Sequence, residues 1–443
     1  MSGQNISRQE FPSDFIFGTA TSSYQIEGTK FGTCGPSHWD DFAKRGGTVG
    51  NSNGDIACAH IEKWAEDLDL IKNAGMSAYR FSTAWPRIQP EGKGKALQEG
   101  LDFYDKVIDG CLERGLEPHL TLYHWELPLA LSQKGGWLSR DTAKYFADYS
   151  AIMANRYGDR LASVATINEP WCVAWLSHFL GHHAPGLKSL EAGVKSMHNI
   201  LLAHGLSLEA IRNECDVNAG IVLNMEFGAI DSDRDEDIRA RDLFDGIYNR
   251  WFADAIFKGQ YPENVLEYFA PHMPEGWQDD LKVISQPIDW LGLNYYTRNF
   301  ISDDGTGVFP FAKSHKGNLP KTSMGWEIYP EGLEFFLNRI SIEYSKDIPI
   351  FVTENGMALH DKVIEEKVED DLRCEFFQLH LAAVKSAIDN GVNVKGYFAW
   401  SLLDNFEWAF GYDERFGIVH VDFETQERTP KKSYYMLQEI LNS

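Results

Sequence analysis

Short apolar runs alternate along this chain with longer stretches whose apolar positions recur at helical spacing. The runs rich in β-forming residues end near Phe17, Phe81, Leu122, Ile167, Leu223, Leu293, Thr353 and Ala399. Between them the pattern predicts helices. His60 to Ala74 carries Ile61, Trp64, Ala65, Leu68 and Ile71 on one face. Asp371 to Asn390 carries Leu372, Phe376, Leu379, Ala383 and Ala387, with Gly391 as its stop. Tyr145 to Tyr157 and Gly332 to Tyr344 read in the same way. Eight strands with helices between them predict an α/β chain folded as a (β/α)₈ TIM barrel, with a doubly wound sheet as the alternative. The intervals exceed the roughly 30 residues of a compact unit, so long βα loops are expected. No Pro/Gly/Ser-rich linker interrupts the rhythm, and residues 1–443 are expected to form one catalytic barrel domain.

Composition narrows the function more than the fold. With 443 residues, 43% of them hydrophobic, the chain can fill a large core. A net charge of −24 argues against nucleic acid and anionic membranes as partners. No apolar run is long enough to cross a bilayer, and Met1 to Asp14 is too polar for a signal peptide. Six cysteines (Cys34, Cys58, Cys111, Cys172, Cys215, Cys374) are scattered without a Cys-x-x-Cys pair. That argues against disulfides and zinc and fits a reducing cytoplasm. The acidic run Asp231 to Asp237 reads as a solvated loop and helix start; no metal and no cofactor is expected.

The unusual polar residues cluster just past the strand ends, which in a barrel ring one mouth. Glu169 in "TINEP" and Glu354 in "VTENG" share one context: an apolar strand, a glutamate, then a turn former. From the fourth and seventh strands they can face each other across the mouth. Two facing carboxylates suit glycosidic bond cleavage, one protonated to donate and the other ionised to attack. Arg80 and Tyr296 can hold Glu354 ionised, while burial and the charge of Glu354 keep the proton on Glu169. Trp125, Trp171, Trp326, Trp400 and Trp408 fall in the loops or at strand ends, and offer apolar walls for a sugar ring. Gln25, His124, Asn168 and Glu407 offer groups for its hydroxyls. Each residue also has a plainer reading. A lone glutamate after a strand caps a helix, a lone histidine sits satisfied in a core, and Cys172 is assigned to packing.

Together, "FIFGTATSSYQIEG" at 15–28, "YRFSTAWPRI" at 79–88, "LYHWELP" at 122–128, "LGLNYYT" at 291–297 and "NFEW" at 405–408 resemble glycoside hydrolase family 1, the retaining β-glycosidases. The resemblance covers nearly the whole chain in the family's order. It implies Glu169 as acid/base and Glu354 as nucleophile, with Arg80 and Tyr296 tuning the nucleophile. It implies Gln25, His124, Asn168, Glu407 and Trp408 as holders of the nonreducing-end sugar, and Trp400 as its stacking platform. Trp125, Trp171, Leu176 and Trp326 fall on the aglycone side and entrance. Two positions depart from the family's habit: Glu126 stands where Asp is commoner, and Asp404 where Glu is. The expected activity is hydrolysis of a small β-glycoside bearing a terminal β-D-glucosyl group, and also β-D-galactosyl or β-D-fucosyl groups. The rivals are a 6-phospho-β-glycosidase and a catalytically silent sugar-binding barrel. No motif speaks to the oligomeric state.

Overall fold

The computed structural model describes residues 6–443; the first five residues of the expected 1–443 domain, and of the stretch Met1 to Asp14, lie outside it. Eight parallel strands form a closed ring. In chain order they are Ile16–Ala20, Ala78–Ser82, Glu117–Tyr123, Ser163–Asn168, Ala219–Ile230, Trp290–Asp303, Ile350–Asn355 and Val394–Trp400. Each pairs with its sequence neighbours; the eighth closes on the first and the fifth joins the sixth. This is the expected (β/α)₈ barrel, not the doubly wound sheet.

The strands lack clean alternation because both faces are covered, the inner by the barrel core and the outer by helices. Every residue of the second and fourth strands is buried. The predicted helices are present at His60–Asn73, Arg140–Tyr157, Pro330–Glu343 and Asp371–Asp389. Ser139 caps the second of these by accepting from the Asp141 N–H. The longest helix, Leu190–Glu214, has apolar or small residues around most of its circumference and is largely buried. It therefore gives no simple one-face signal.

Two strands outrun their expected ends. The fifth continues past Leu223 to Ile230 and the sixth past Leu293 to Asp303, still paired with each other. Beyond the barrel, the sixth turns back on a short antiparallel strand, Ala312–His315. This ribbon raises one wall above the mouth. The loop after the eighth strand is anchored from below. Asp404 accepts from Lys431 at 2.7 Å and Arg415 at 2.8 Å, and Asp361 and Arg373 complete a buried ion cluster.

Candidate active site

The strand ends surround a cavity of about 890 Å³ at the C-terminal mouth, inside the usual range for a small-molecule site. Among its lining residues are both glutamates, His124, Tyr296, Glu407 and the tryptophans 125, 171, 326, 400 and 408; Leu176 lines it too. Gln25, Arg80 and Asn168 stand one layer behind that surface.

Glu354 ends the seventh strand and is 3% exposed. Arg80 Nη1 donates to its Oε1 at 2.6 Å, and the Tyr296 hydroxyl donates to its Oε2 at 2.7 Å. The other guanidinium nitrogen, Nη2, donates to Asn168 Oδ1 at 2.7 Å. A lysine could not span both acceptors in this planar fork.

Glu169 follows the fourth strand in left-handed backbone, at φ 51°. Its N–H is held by the Val222 carbonyl of the fifth strand at 2.9 Å. Asn294 Nδ2 donates to Oε1 at 2.7 Å, and the Cys172 thiol donates to Oε2 at 3.1 Å. Burial, and then the charge of Glu354, push its carboxyl up to about 8, against the pull of Asn294, Cys172 and Arg80. Burial raises Glu354 as well, but Arg80 and Tyr296 oppose it and leave it the more acidic of the pair. The order is the one expected of an acid and a nucleophile.

Asn294 is the residue that motif reading underrates. It sits in register with Glu354, accepts from the Thr353 hydroxyl at 2.7 Å, and donates to Glu169 and to Asn168 Oδ1. One amide thus links the strands that carry the two glutamates. Cys172 is a correction: it lies one helical turn beyond Glu169 and bonds to it, so packing is not its whole role. That i to i+3 spacing was the available signal.

The residues expected to hold a sugar form one wall. His124 lies parallel to Trp400 at 5.7 Å and to Trp408 at 6.1 Å between ring centroids. Its Nε2 meets Asn168 Nδ2 at 3.2 Å, and burial beside Arg80 keeps it neutral. Trp125 and Trp408 also sit in left-handed backbone, at φ 81° and 50°. Trp125 Nε1 donates to the Asn168 carbonyl at 2.9 Å. Gln25 is engaged by protein: Nε2 donates to Asn405 Oδ1 and the Phe406 carbonyl at 2.9 Å, and reaches Glu407 at 3.4 Å. Glu407 is half-buried, and burial with the charges of Glu354, Glu414 and Glu169 pushes it up to about 8.

Neither family departure touches the pair. Glu126 accepts from the Ser23 hydroxyl and burial holds its proton on. Asp404 belongs to the ion cluster below the loop. The acidic run near Asp231 is a loop leading into the helix Asp235–Asp245, in which Asp237 pairs with Arg234 at 2.9 Å. Among the described residues no group of three His, Cys, Asp or Glu is placed to hold a metal, and no helix is long and apolar enough to cross a membrane.

On the side expected to face the aglycone, Trp171 stacks on Tyr248 at 4.1 Å, and Trp326 packs against Tyr296 at 5.7 Å. This wall is apolar and leads outward past Leu176 to the raised ribbon.

Comparison with known proteins places this geometry. The chain is 47% identical over 440 residues to a β-glucosidase from an Agrobacterium species, covering 98% of this chain and 95% of the relative. It is 42% identical over 448 residues to a bifunctional β-D-glucosidase/β-D-fucosidase from Bifidobacterium breve, covering 96% of each. The family 1 β-glucosidase structure from Thermotoga maritima superposes with a TM-score of 0.95 at 42% identity, covering 99% of both chains. The model of glycosyl hydrolase family 1 matches residues 7–443, and the chain belongs to that family.

Proposed function

We propose that this chain is a retaining β-glycosidase that removes terminal nonreducing β-D-glucosyl groups, and accepts β-D-fucosyl and β-D-galactosyl groups as well. The observation that carries the reading is the unequal environment of the two glutamates. Glu169 holds its proton to about 8, whereas Glu354 carries a guanidinium on one oxygen and a phenol on the other.

The chemistry follows in two steps. Glu354 attacks the anomeric carbon while Glu169 gives its proton to the leaving oxygen. Esterification removes the charge of Glu354, and with it the repulsion that helped hold the proton on Glu169. Glu169 then takes a proton from water, which attacks the same carbon and releases the sugar. Gln25, His124, Asn168, Glu407 and Trp408 would hold the sugar and Trp400 would stack against it; the side-chain bonds from Gln25 to Glu407 and between Asn168 and His124 support that grouping.

The Bifidobacterium breve relative is named for both glucosidase and fucosidase activity, which supports a pocket tolerant at the fucosyl positions. Galactose inverts only one hydroxyl of glucose, so discrimination would depend on small contact differences near Gln25 and Glu407. A cytoplasmic location is supported by six cysteines that are all free. The 6-phospho rival is disfavoured by the Glu407 carboxyl on the cavity wall, and the silent-barrel rival by the presence of both catalytic carboxyls.

The test is stereochemical. Nucleophile and acid carboxyls about 5–5.5 Å apart imply net retention. Proton NMR during hydrolysis of nitrophenyl β-glucoside should show β-glucose first. Appearance of α-glucose first would overturn the double displacement.

A further inference from the structure

We infer that Cys172 is a positioning residue for the acid/base: its thiol fixes which oxygen of Glu169 carries the catalytic proton and steadies the carboxylate once that proton has left. The inference rests on Glu169 being the acid/base.

The two oxygens of Glu169 have different partners. Oε1 accepts a short bond from the amide of Asn294, at 2.7 Å. Oε2 accepts only from the thiol, at 3.1 Å. In a protonated carboxyl the carbonyl oxygen is the better acceptor. The stronger donor therefore selects Oε1 as carbonyl, and the proton is left on Oε2. A thiol is a weak donor, so it does not compete with the O–H for a substrate oxygen in the cavity. When the proton moves to the leaving group, Oε2 becomes anionic and the same S–H bond becomes charge-assisted. Cys172 thus favours the product of the proton transfer more than its starting state, which is the condition for accelerating that transfer.

The thiol is suited to this and to little else. Burial and the neighbouring Glu169 keep it protonated, so it remains a donor. It is 8% exposed, at the cavity edge. Its place is set by the backbone: the left-handed turn at Glu169 and Pro170 starts a wide helical segment, Cys172–Phe179, and puts the thiol under the carboxyl.

Other groups act on Glu169 from several elements: Arg80 from the second strand, Tyr296 from the sixth, and Glu354 from the seventh. Glu407 in the loop after the eighth strand and Tyr248 outside the fifth do so as well. The thiol itself feels Glu354 from the seventh strand and Glu226 from the fifth, so each variant's profile is read against the parent's. The thiol bond lowers the affinity of Glu169 for its proton, so removing it raises that affinity and moves the basic limb of kcat/KM to higher pH.

The experiment compares the parent enzyme with Cys172→Ala and Cys172→Ser on a dinitrophenyl and an unactivated alkyl β-glucoside across pH. In Cys172→Ala the basic limb should rise by about half a pH unit, the scale of one modest hydrogen bond. The alkyl glucoside should lose up to about threefold, the same half unit expressed as a rate, and the dinitrophenyl glucoside less. Cys172→Ser, which keeps a donor, should return both readouts toward the parent. If the alanine variant fails to fold, Cys172→Val fills the space without a donor and is read identically. An unmoved limb with equal losses on both substrates would overturn the inference and leave Cys172 as packing. If Glu169→Ala itself shows no dependence on leaving group, the underlying acid/base reading fails instead.

Discussion

Arg80 and Glu354 form an ion pair at 2.6 Å in which neither side chain is more than 4% exposed. Such a pair is costly to break from one side, because the remaining charge has no water. Arg80→Met should leave Glu354 buried and unpaired, at a penalty of about 3–5 kcal/mol. Part of that penalty is avoided if Glu354 takes a proton. Arg80 lowers the pKa of Glu354, so its loss raises it, and the acidic limb of kcat/KM should move up by at least about one pH unit. Arg80→Lys keeps the charge but loses the fork to Asn168, and should shift the limb less. A pH–rate profile decides; an unmoved acidic limb in the methionine variant would show that Arg80 does not hold the nucleophile ionised.

The two glutamates should separate by leaving group. Glu354→Ala should abolish turnover of every glycoside. Glu169→Ala should be mild on dinitrophenyl glucosides and lose roughly 10²–10⁴-fold on poor leaving groups. Azide needs no general base, so it should restore turnover in the second variant and give a β-glucosyl azide. Equal losses on good and poor leaving groups, with no rescue, would remove Glu169 from its role.

Glu407 should exclude a 6-phosphate, and more so as pH rises. At neutral pH it is largely protonated, with Glu354 and Glu414 among the charges that raise it. A phosphate adds like charge to that group. Once Glu407 ionises, two charges about 4 Å apart repel by roughly 4 kcal/mol near a protein surface. Above pH 8, nitrophenyl β-glucoside should therefore be cleaved at least about a hundredfold faster than its 6-phosphate, and the ratio should shrink toward neutral pH. The titration of Glu169 affects both substrates and cancels in the ratio. Glu407→Ser should narrow the gap, and Glu414→Lys should narrow it further. Comparable rates in the parent would reassign the substrate without disturbing the catalytic pair.

The ion cluster below the loop should show in stability. Asp404 is fully buried and its carboxyl is held below the usual range by Lys431 and Arg415, in spite of burial. Lys431→Met leaves that charge partly unpaired and should cost about 3–5 kcal/mol in urea unfolding at neutral pH. A depressed carboxylate contributes stability above its unfolded pKa, near 3.9, and loses it as pH falls through its folded value. The parent should therefore weaken steeply below about pH 4, and Asp404→Asn less steeply. Parallel acid dependence in the two would argue that Asp404 is not a principal acid-sensitive group.

Much of this molecule is legible in its sequence because local pattern and chemistry coincide. The strand ends at Phe81 and Ile167 were readable because each apolar run stops where a functional residue begins. The same rule fails at Leu223 and Leu293, where the strands continue outward as a ribbon beyond the barrel. There the pairing partner is another distant strand, which no local pattern reveals. Glu169 and Glu354 were legible through their matched contexts. The links through Asn294 and Cys172 were not, because a hydrogen bond between side chains depends on rotamers and on the approach of separate strands. The engagement of the Gln25 amide by Asn405, the Phe406 carbonyl and Glu407 is a contact of this kind too.

The left-handed backbone at Trp125, Glu169 and Trp408 has a consequence for durability. Residues with a Cβ resist that conformation by about 1–2 kcal/mol each, and here they carry cavity-lining side chains that glycine could not supply. Catalysis and robustness therefore compete at the same three positions. Replacing Glu169 by glycine destroys the acid but relieves both the strained turn and a buried carboxyl. Even after glycine's extra freedom in the unfolded chain, the inert sibling should outlast its working parent on heating. Selection for heat tolerance alone would erode this site first, and only selection for turnover holds it in place.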